Sequence, residues 1–145
     1  MLTQFNQYQN TQVNTSSPER LLLMLYDGAI NFSKIALEKM EQGDIPGKGK
    51  FIGKAQAIVA ELMNTLNHEV GGEISRRLER LYIYVIDEYL AANINNSPQS
   101  LRNAIRIMTM LRDTWVEAIA TWKKEKEIVP PTARGGQAQV AGLYR

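Results

Sequence analysis

Residues 97–122 read S-P-Q-S-L-R-N-A-I-R-I-M-T-M-L-R-D-T-W-V-E-A-I-A-T-W and carry the clearest fold signal in the chain. Serine caps a helix and proline fits its first turn, so Ser97-Pro98 marks a helix start. Steps of three and four then separate a series of apolar residues: Leu101, Ala104, Met108, Leu111, Trp115, Ala118 and Trp122. A face that persists for three heptads is typical of a bundle helix. We predict a helix from Ser97-Pro98 to about Ile128.

The first helix is predicted to begin at Ser16 or Ser17 and to end near Gly43. Either Ser17 caps it with Pro18 at the first helical position, or Ser16 and Glu19 form a capping box. Its apolar face consists of residues at helical spacing: Leu22, Leu25, Ala29, Phe32, Ala36 and Met40. This pattern indicates an amphipathic helix.

Two further helices are predicted on either side of Gly71-Gly72, at about 50–68 and 73–95. The second helix has a strict seam of Ile52, Ala55, Val59, Leu62 and Leu66. The core side of the third is predicted to consist of Ile74, Leu78, Leu81, Tyr82, Val85 and Tyr89. Residues 43–51, G-D-I-P-G-K-G-K-F, resemble a phosphate loop only superficially, and we expect a flexible connection there.

Four amphipathic helices with short connections predict an all-α fold, an antiparallel four-helix bundle. We expect a mobile N-terminal arm at 1–15, the bundle at 16–128 and a disordered tail at 129–145. The tail contains too little apolar surface to offset the entropy lost on ordering.

The composition favours one soluble domain. The 145 residues are 44% hydrophobic, and 17 basic and 15 acidic residues are interspersed, which argues against a nucleic-acid surface. The absence of cysteine excludes disulfides and thiolate metal sites. Neither a signal peptide nor a membrane-spanning stretch is recognisable, so we expect a cytoplasmic protein without membrane insertion.

No residue pattern indicates catalysis, a metal site or a cofactor, and we expect none of them. The only histidine, His68, is expected at the end of the second helix, followed by Glu69. A phosphotransfer bundle that acts through His68 is one alternative function, and a structural helical adaptor is another. The Glu-x-x-His pattern of di-iron bundles is absent, since Thr65 occupies the required position.

The third helix has more apolar residues than one core face needs. A second stripe runs through Ile83, Ile86, Leu90 and Ile94, and on the fourth helix Met110 interrupts a polar stripe beside Ile107. One explanation is a wider core, or a surface that the N-terminal arm covers. The other is a groove for amphipathic helices, which contiguous apolar patches often mark and which methionine suits.

Several motifs together resemble the flagellin export chaperones, the FliS family. They are Y-Q-N-T-Q-V-N-T-S-S-P-E-R-L-L-L-M-L-Y-D-G-A-I at 8–30, K-A-Q-A-I-V-A-E-L-M-N-T-L-N at 54–67, G-G-E-I at 71–74, L-E-R-L-Y-I-Y at 78–84 and L-A-A-N at 90–93. The resemblance covers about residues 8–122. It implies a cytosolic chaperone that binds the C-terminal segment of flagellin, prevents premature polymerisation and delivers the subunit to the cytosolic domain of the flagellar export gate.

The resemblance also suggests where partners bind. Tyr8 matches an N-terminal tyrosine of the family implicated in export-gate contact, and Phe5 lies on the same arm, which could also serve as a lid. For the flagellin groove we predict apolar residues of the second to fourth helices: Leu62, Leu66, Ile83, Ile86, Leu90, Ile107 and Met110. A homodimer is left open, as is any role for Leu143 and Tyr144.

Overall fold

The computed structural model describes residues 17–128 and contains four helices: α1 Pro18–Glu41, α2 Ile45–Asn64, α3 His68–Asn95 and α4 Pro98–Ile128. Short connections make consecutive helices antiparallel, and α1 also packs against α4. The predicted all-α, antiparallel four-helix bundle is confirmed. The predicted arm at 1–15 and tail at 129–145 lie outside the described residues.

Helix caps explain where α1 and α4 begin. Ser17 Oγ accepts a hydrogen bond of 3.3 Å from the amide of Arg20, with Pro18 behind it, so the cap at Ser17 is the one that forms. Ser97 Oγ accepts from the amide of Ser100 at 3.2 Å in the same way. Both predicted starts therefore rest on a side-chain oxygen that satisfies an amide of the first turn.

The start of α2 differs from the prediction. Asp44 caps it, since Asp44 Oδ1 accepts from the amide of Gly47 at 2.9 Å and Pro46 occupies the first turn. The glycine-rich stretch after Ile45 is therefore helical, and the expectation of a flexible connection there was wrong. The cap and the proline together outweigh the low helix propensity of the glycines.

Gly71-Gly72 lies inside α3 and does not end α2. Asn67 caps α3 by accepting from the amide of Val70 at 3.2 Å, so His68 begins this helix. Gly72 then kinks it, with φ 53° and ψ −122°, a conformation that glycine tolerates best. Beyond the kink the core face passes through Ser75, and Ile74, predicted to be core, is 60% exposed.

The centre of the bundle combines apolar packing with buried hydroxyl groups. Tyr26 and Tyr82 pair through their hydroxyls across the core, and Trp115 Nε1 donates to Tyr26 OH at 3.1 Å. Ser33 Oγ donates to Ala29 O at 2.7 Å, so the hydroxyl of Tyr89, also 2.7 Å away, donates to Ser33. Burial raises the pKa of Tyr89 to about 12.

The predicted apolar face of α4 is buried from Leu101 to Trp115, as expected. Ile119 is then buried and Ala118 is exposed, contrary to the prediction. A helix with 3.6 residues per turn drifts relative to a strict heptad, so the core face moves by one residue near the end of the bundle. Trp122 is half-buried, and its buried Nε1 has no hydrogen-bond partner within the described residues.

Candidate functional site

Among the described residues, His68 pairs with one carboxylate. Its Nε2 lies 2.7 Å from Glu79 Oε2, beyond the kink at Gly72, and both side chains are more than a third exposed. Within residues 17–128 no group of three or more histidine, aspartate or glutamate side chains could hold a metal ion. The contact links the first turn of α3 to the rest of that helix.

One flank of α3 borders α2, as the contacts of Asn93 show. A Cβ added at Gly49 would lie 3.7 Å from Asn93 Oδ1. Near the start of α2 the buried Lys48 donates from Nζ to Asn93 O at 3.2 Å and to Asn96 Oδ1 at 3.1 Å. This ammonium group satisfies carbonyl oxygens at the end of α3, where the helix dipole favours a cation.

The second apolar stripe of α3 lies on this α2 side. Leu90 is three residues before Asn93 and Ile86 is seven before it, and residues at these spacings share one helix face. Ile83, Leu90 and Ile94 are 43%, 44% and 78% exposed, whereas Ile86 is half-buried and packs against the core. The stripe is therefore a surface with one partly buried member.

Uncharged residues of α2 lie beside the stripe. Starting from Gly49 and following steps of four and three, the same flank of α2 contains Gly53, Gln56, Ala60 and Met63. We call the surface formed by these five residues and by Ile83, Ile86, Leu90 and Ile94 the α2/α3 groove. None of the nine side chains is charged, and Glu79, one turn before Ile83, marks the end at which His68 lies.

The opposite flank of α3 borders α4. Asn103 Nδ2 donates to Glu88 Oε2 at 2.7 Å, which fixes the two faces that meet. Ile107 and Met110 follow Asn103 by four and seven residues, and Tyr84 and Leu81 precede Glu88 by the same steps. We call these four apolar residues the α3/α4 patch. Met110 is 48% exposed and Tyr84 is exposed, whereas Ile107 and Leu81 pack partly against the core.

The residues predicted for one groove therefore occupy three places. Leu62 and Leu66 are buried in the core, Ile83, Ile86 and Leu90 lie in the α2/α3 groove, and Ile107 and Met110 lie in the α3/α4 patch. Phe5 and Tyr8 lie outside the described residues. The α2 wall of the groove was not predicted: Gly49 was expected in a flexible connection, and Gly53, although inside the predicted helix, was not assigned to the groove. The cap at Asp44 was the signal that could have identified the earlier helix start.

Comparison with known proteins identifies the family. A family model described as Flagellar protein FliS matches residues 1–122. The chain belongs to the FliS family. The match includes both flanks of α3 and ends within α4, so the groove and the patch both lie in the FliS region.

Several relatives of this FliS family member are named flagellar secretion chaperone FliS. The one from Bacillus subtilis is 34% identical over 122 residues, which are 84% of this chain and 90% of that protein. The one from Vibrio cholerae is 35% identical over 106 residues, 73% and 78% of the two chains. The one from Salmonella typhimurium is 36% identical over 104 residues, 71% and 77% of the two chains.

The four described helices of this FliS protein share one further property. None of them, between residues 17 and 128, combines the length and the apolar content needed to cross a membrane. Their apolar faces are used for packing against one another and for the two surfaces on α3.

Proposed function

We propose that this FliS family member is a cytosolic export chaperone for flagellin. It binds the C-terminal segment of flagellin in the α2/α3 groove, prevents premature polymerisation and delivers the subunit to the flagellar export apparatus, without catalysis. The observation that carries the proposal is the run of exposed apolar residues Ile83, Leu90 and Ile94 along the flank of α3 that borders α2. The secretion chaperone names of the relatives support the same function.

The groove suits an amphipathic segment that folds as it binds. Removing a large aliphatic side chain from water contributes about 1.5–3 kcal/mol, so covering Leu90 and its neighbours is favourable. An unstructured partner loses conformational entropy when it orders, and apolar burial offsets that cost. A helix with anchors at i, i+3 or i+4, and i+7 matches a stripe with the spacing of Ile83, Ile86 and Leu90.

One bound helix cannot cover both flanks of α3. A helix with its side chains is about 10 Å wide, and the α2/α3 groove and the α3/α4 patch are on opposite sides of α3. We assign the main contact to the groove, because three of its four α3 residues are exposed. In this assignment Leu62 and Leu66 support the groove from the core without touching the partner, and Ile107 and Met110 have a secondary role.

The N-terminal arm is proposed to contact the cytosolic domain of the export gate through Tyr8, or to cover the groove until flagellin binds. Phe5 and Tyr8 are aromatic residues in an otherwise polar stretch, which supports either role. Deleting residues 2–14 should leave folding intact, leave flagellin binding unchanged or tighter, and impair export. Loss of flagellin binding by this variant would instead make the arm part of the binding site.

The proposal is tested by mixing the protein with a peptide from the flagellin C-terminus. We expect one-step binding by isothermal titration calorimetry, and helical circular dichroism greater than the sum of the separate components. Light scattering on the same sample gives the stoichiometry and tests for a homodimer. No binding at micromolar concentration would refute the chaperone function, and acid-labile phosphate on His68 would favour the phosphotransfer alternative.

A further inference from the structure

The packing and backbone conformation of the bundle do not require a glycine at position 53. It lies inside α2, where glycine is less favourable than alanine, and a Cβ added there would meet no atom within 4 Å. Two other glycines differ from it in this respect. A Cβ at Gly47 would lie 2.4 Å from Asp44 Oδ2, and Gly72 adopts a positive φ of 53°. A side chain at position 53 would therefore project into open space on the surface of α2.

Gly53 lies on the α2 wall of the α2/α3 groove. Gly49 faces Asn93, and Gly53 follows Gly49 by one helical turn on the same side of α2. Because α2 and α3 are antiparallel, one turn forward along α2 corresponds to one turn back along α3, at the level of Leu90. Gly53 is exposed, as is Leu90.

The lysines on either side of Gly53 in the sequence direct their charges away from the groove. Lys54, the next residue, directs its Nζ toward α1, 5.8 Å from the Phe32 ring centroid and 5.0 Å from that of Phe51. Lys50 Nζ lies 5.7 Å from the same Phe51 ring. Both lysines are thus on the flank of α2 that faces α1. The groove residues beside Gly53 are uncharged, which favours an apolar occupant over a carboxylate or phosphate group.

We infer that Gly53 is a recognition position of the groove, whose missing side chain leaves a notch between α2 and Leu90 for one large apolar side chain of the bound helix. The inference rests on the proposed flagellin binding and adds a specificity determinant to it. Gly53 lowers the stability of α2, and its function is to let the partner approach the helix backbone.

Gly53→Ala and Gly53→Leu separate this role from a structural one. Both variants should stay folded, and Gly53→Ala should raise the melting temperature by a few degrees, because alanine favours the helix. Binding of the flagellin C-terminal peptide should weaken about threefold in Gly53→Ala and about tenfold or more in Gly53→Leu, since the added atoms occupy the notch. A residue with only a structural role would not couple higher stability to weaker binding.

Two control variants match the two changes. Asn31→Ala improves helix propensity on an exposed part of α1, and Ala120→Leu adds the bulk of an exposed leucine to α4. Both should bind the peptide with wild-type affinity. If either Gly53 variant unfolds, the glycine is structural and the inference fails.

A double-mutant cycle identifies the side chain that enters the notch. Each apolar residue of the peptide is changed to alanine and measured against wild-type protein and Gly53→Leu. At one position the two losses should be clearly non-additive, because the truncated side chain no longer competes with Leu at position 53. The inference is overturned, while flagellin binding stands, if Gly53→Leu binds the peptide as tightly as wild type. It is also overturned if the losses of affinity are additive at every peptide position. If wild type does not bind, the proposed function itself fails.

Discussion

Two boundaries between neighbouring helices differ in their chemistry. One is the line where α1 meets α4, which we call the α1/α4 seam, and the other is the α2/α3 groove. Across α1/α4, Arg112 Nε lies 2.8 Å from Asp27 Oδ1, and Arg102 lies 3.9 Å from Glu41. None of the nine residues of the α2/α3 groove is charged, exposed Asp87 lies beside its apolar stripe, and Leu90 is open to water. A charged seam is already well solvated, whereas an apolar seam gains free energy when a partner covers it.

The charged seam keeps the surface polar and adds little stability. The hydrogen bond to Asp27, followed by the charge of Asp27, raises the pKa of Arg112, so the guanidinium stays charged at physiological pH. Both side chains are more than a third exposed, and pairs of this kind contribute only about 0.2–1 kcal/mol. A cavity of about 420 Å³ at this seam has mixed lining that includes the charged Arg20 and the apolar Leu23 and Ile119, whereas the nine residues of the groove are uncharged.

The largest expected effect is on stability, and it distinguishes a core residue from a groove residue. Leu111→Asp should unfold the protein, because Leu111 is buried and an unpaired carboxylate there costs several kcal/mol. Leu90→Asp should keep a cooperative melt in circular dichroism, since Leu90 already contacts water. If Leu90→Asp unfolds the protein as well, the stripe belongs to a wider core.

The next effect tests which flank of α3 binds flagellin. Leu90→Asp should reduce peptide affinity about a hundredfold or more, because a charge replaces an apolar anchor. Met110→Asp is the matched control, with similar exposure on the opposite flank, and should change affinity about threefold or less. An equal loss in both variants would show that flagellin contacts the groove and the α3/α4 patch with comparable strength.

A smaller effect concerns the hydroxyls that connect α1 and α3 inside the bundle. Tyr89→Phe should lower the free energy of unfolding by about 1–2 kcal/mol, because Ser33 loses a buried hydrogen-bond donor. The raised pKa of Tyr89 means that the folded state keeps a proton that the unfolded state loses above about pH 10. The contribution of this protonated hydroxyl to folding stability is therefore fully present below about pH 10, and it declines as the pH rises toward 12.

Urea unfolding at about pH 9 and about pH 11 checks this sign. The wild-type protein should lose more stability between the two values than Tyr89→Phe does. An identical loss in the two proteins would mean that Tyr89 does not account for the alkaline decline. Peptide binding at neutral pH should stay the same in both, since Tyr89 is not in the groove.

The smallest effect belongs to the charged seam. Arg112→Met should lower stability by about 0.5 kcal/mol and leave peptide affinity unchanged. Thermal melts at low and high salt measure the first part, and calorimetry measures the second. A clear loss of binding in this variant would remove the distinction between the α1/α4 seam and the α2/α3 groove.

Local signals in the sequence were sufficient for the fold. Ser17-Pro18 and Ser97-Pro98 gave correct helix starts, and periodicity gave the core residues of α2 correctly from Ile52 to Leu62, whereas Leu66 is buried beyond the end of that helix. Gly71-Gly72 was misleading, because a glycine with positive φ can end a helix or kink it. The cap at Asn67 determines which of the two occurs, and it depends on a side-chain hydrogen bond.

The candidate site was only partly predictable. Periodicity correctly separated the stripe of Ile83 and Leu90 from the core face, but it did not show which neighbouring helix the stripe faces. That assignment requires contacts between helices, such as Gly49 with Asn93 on one flank and Asn103 with Glu88 on the other. The burial of Ser33 was missed for the same reason, since its partner Tyr89 is 56 residues away.

The most direct test of the flagellin groove is the NMR footprint of the bound peptide on isotopically labelled protein. Binding in the α2/α3 groove predicts the largest amide shifts at 49–63 and 79–94, with small changes along α1 and the outer part of α4. Shifts concentrated at the α1/α4 seam, around Asp27 and Arg112, with residues 83–94 unaffected, would contradict it.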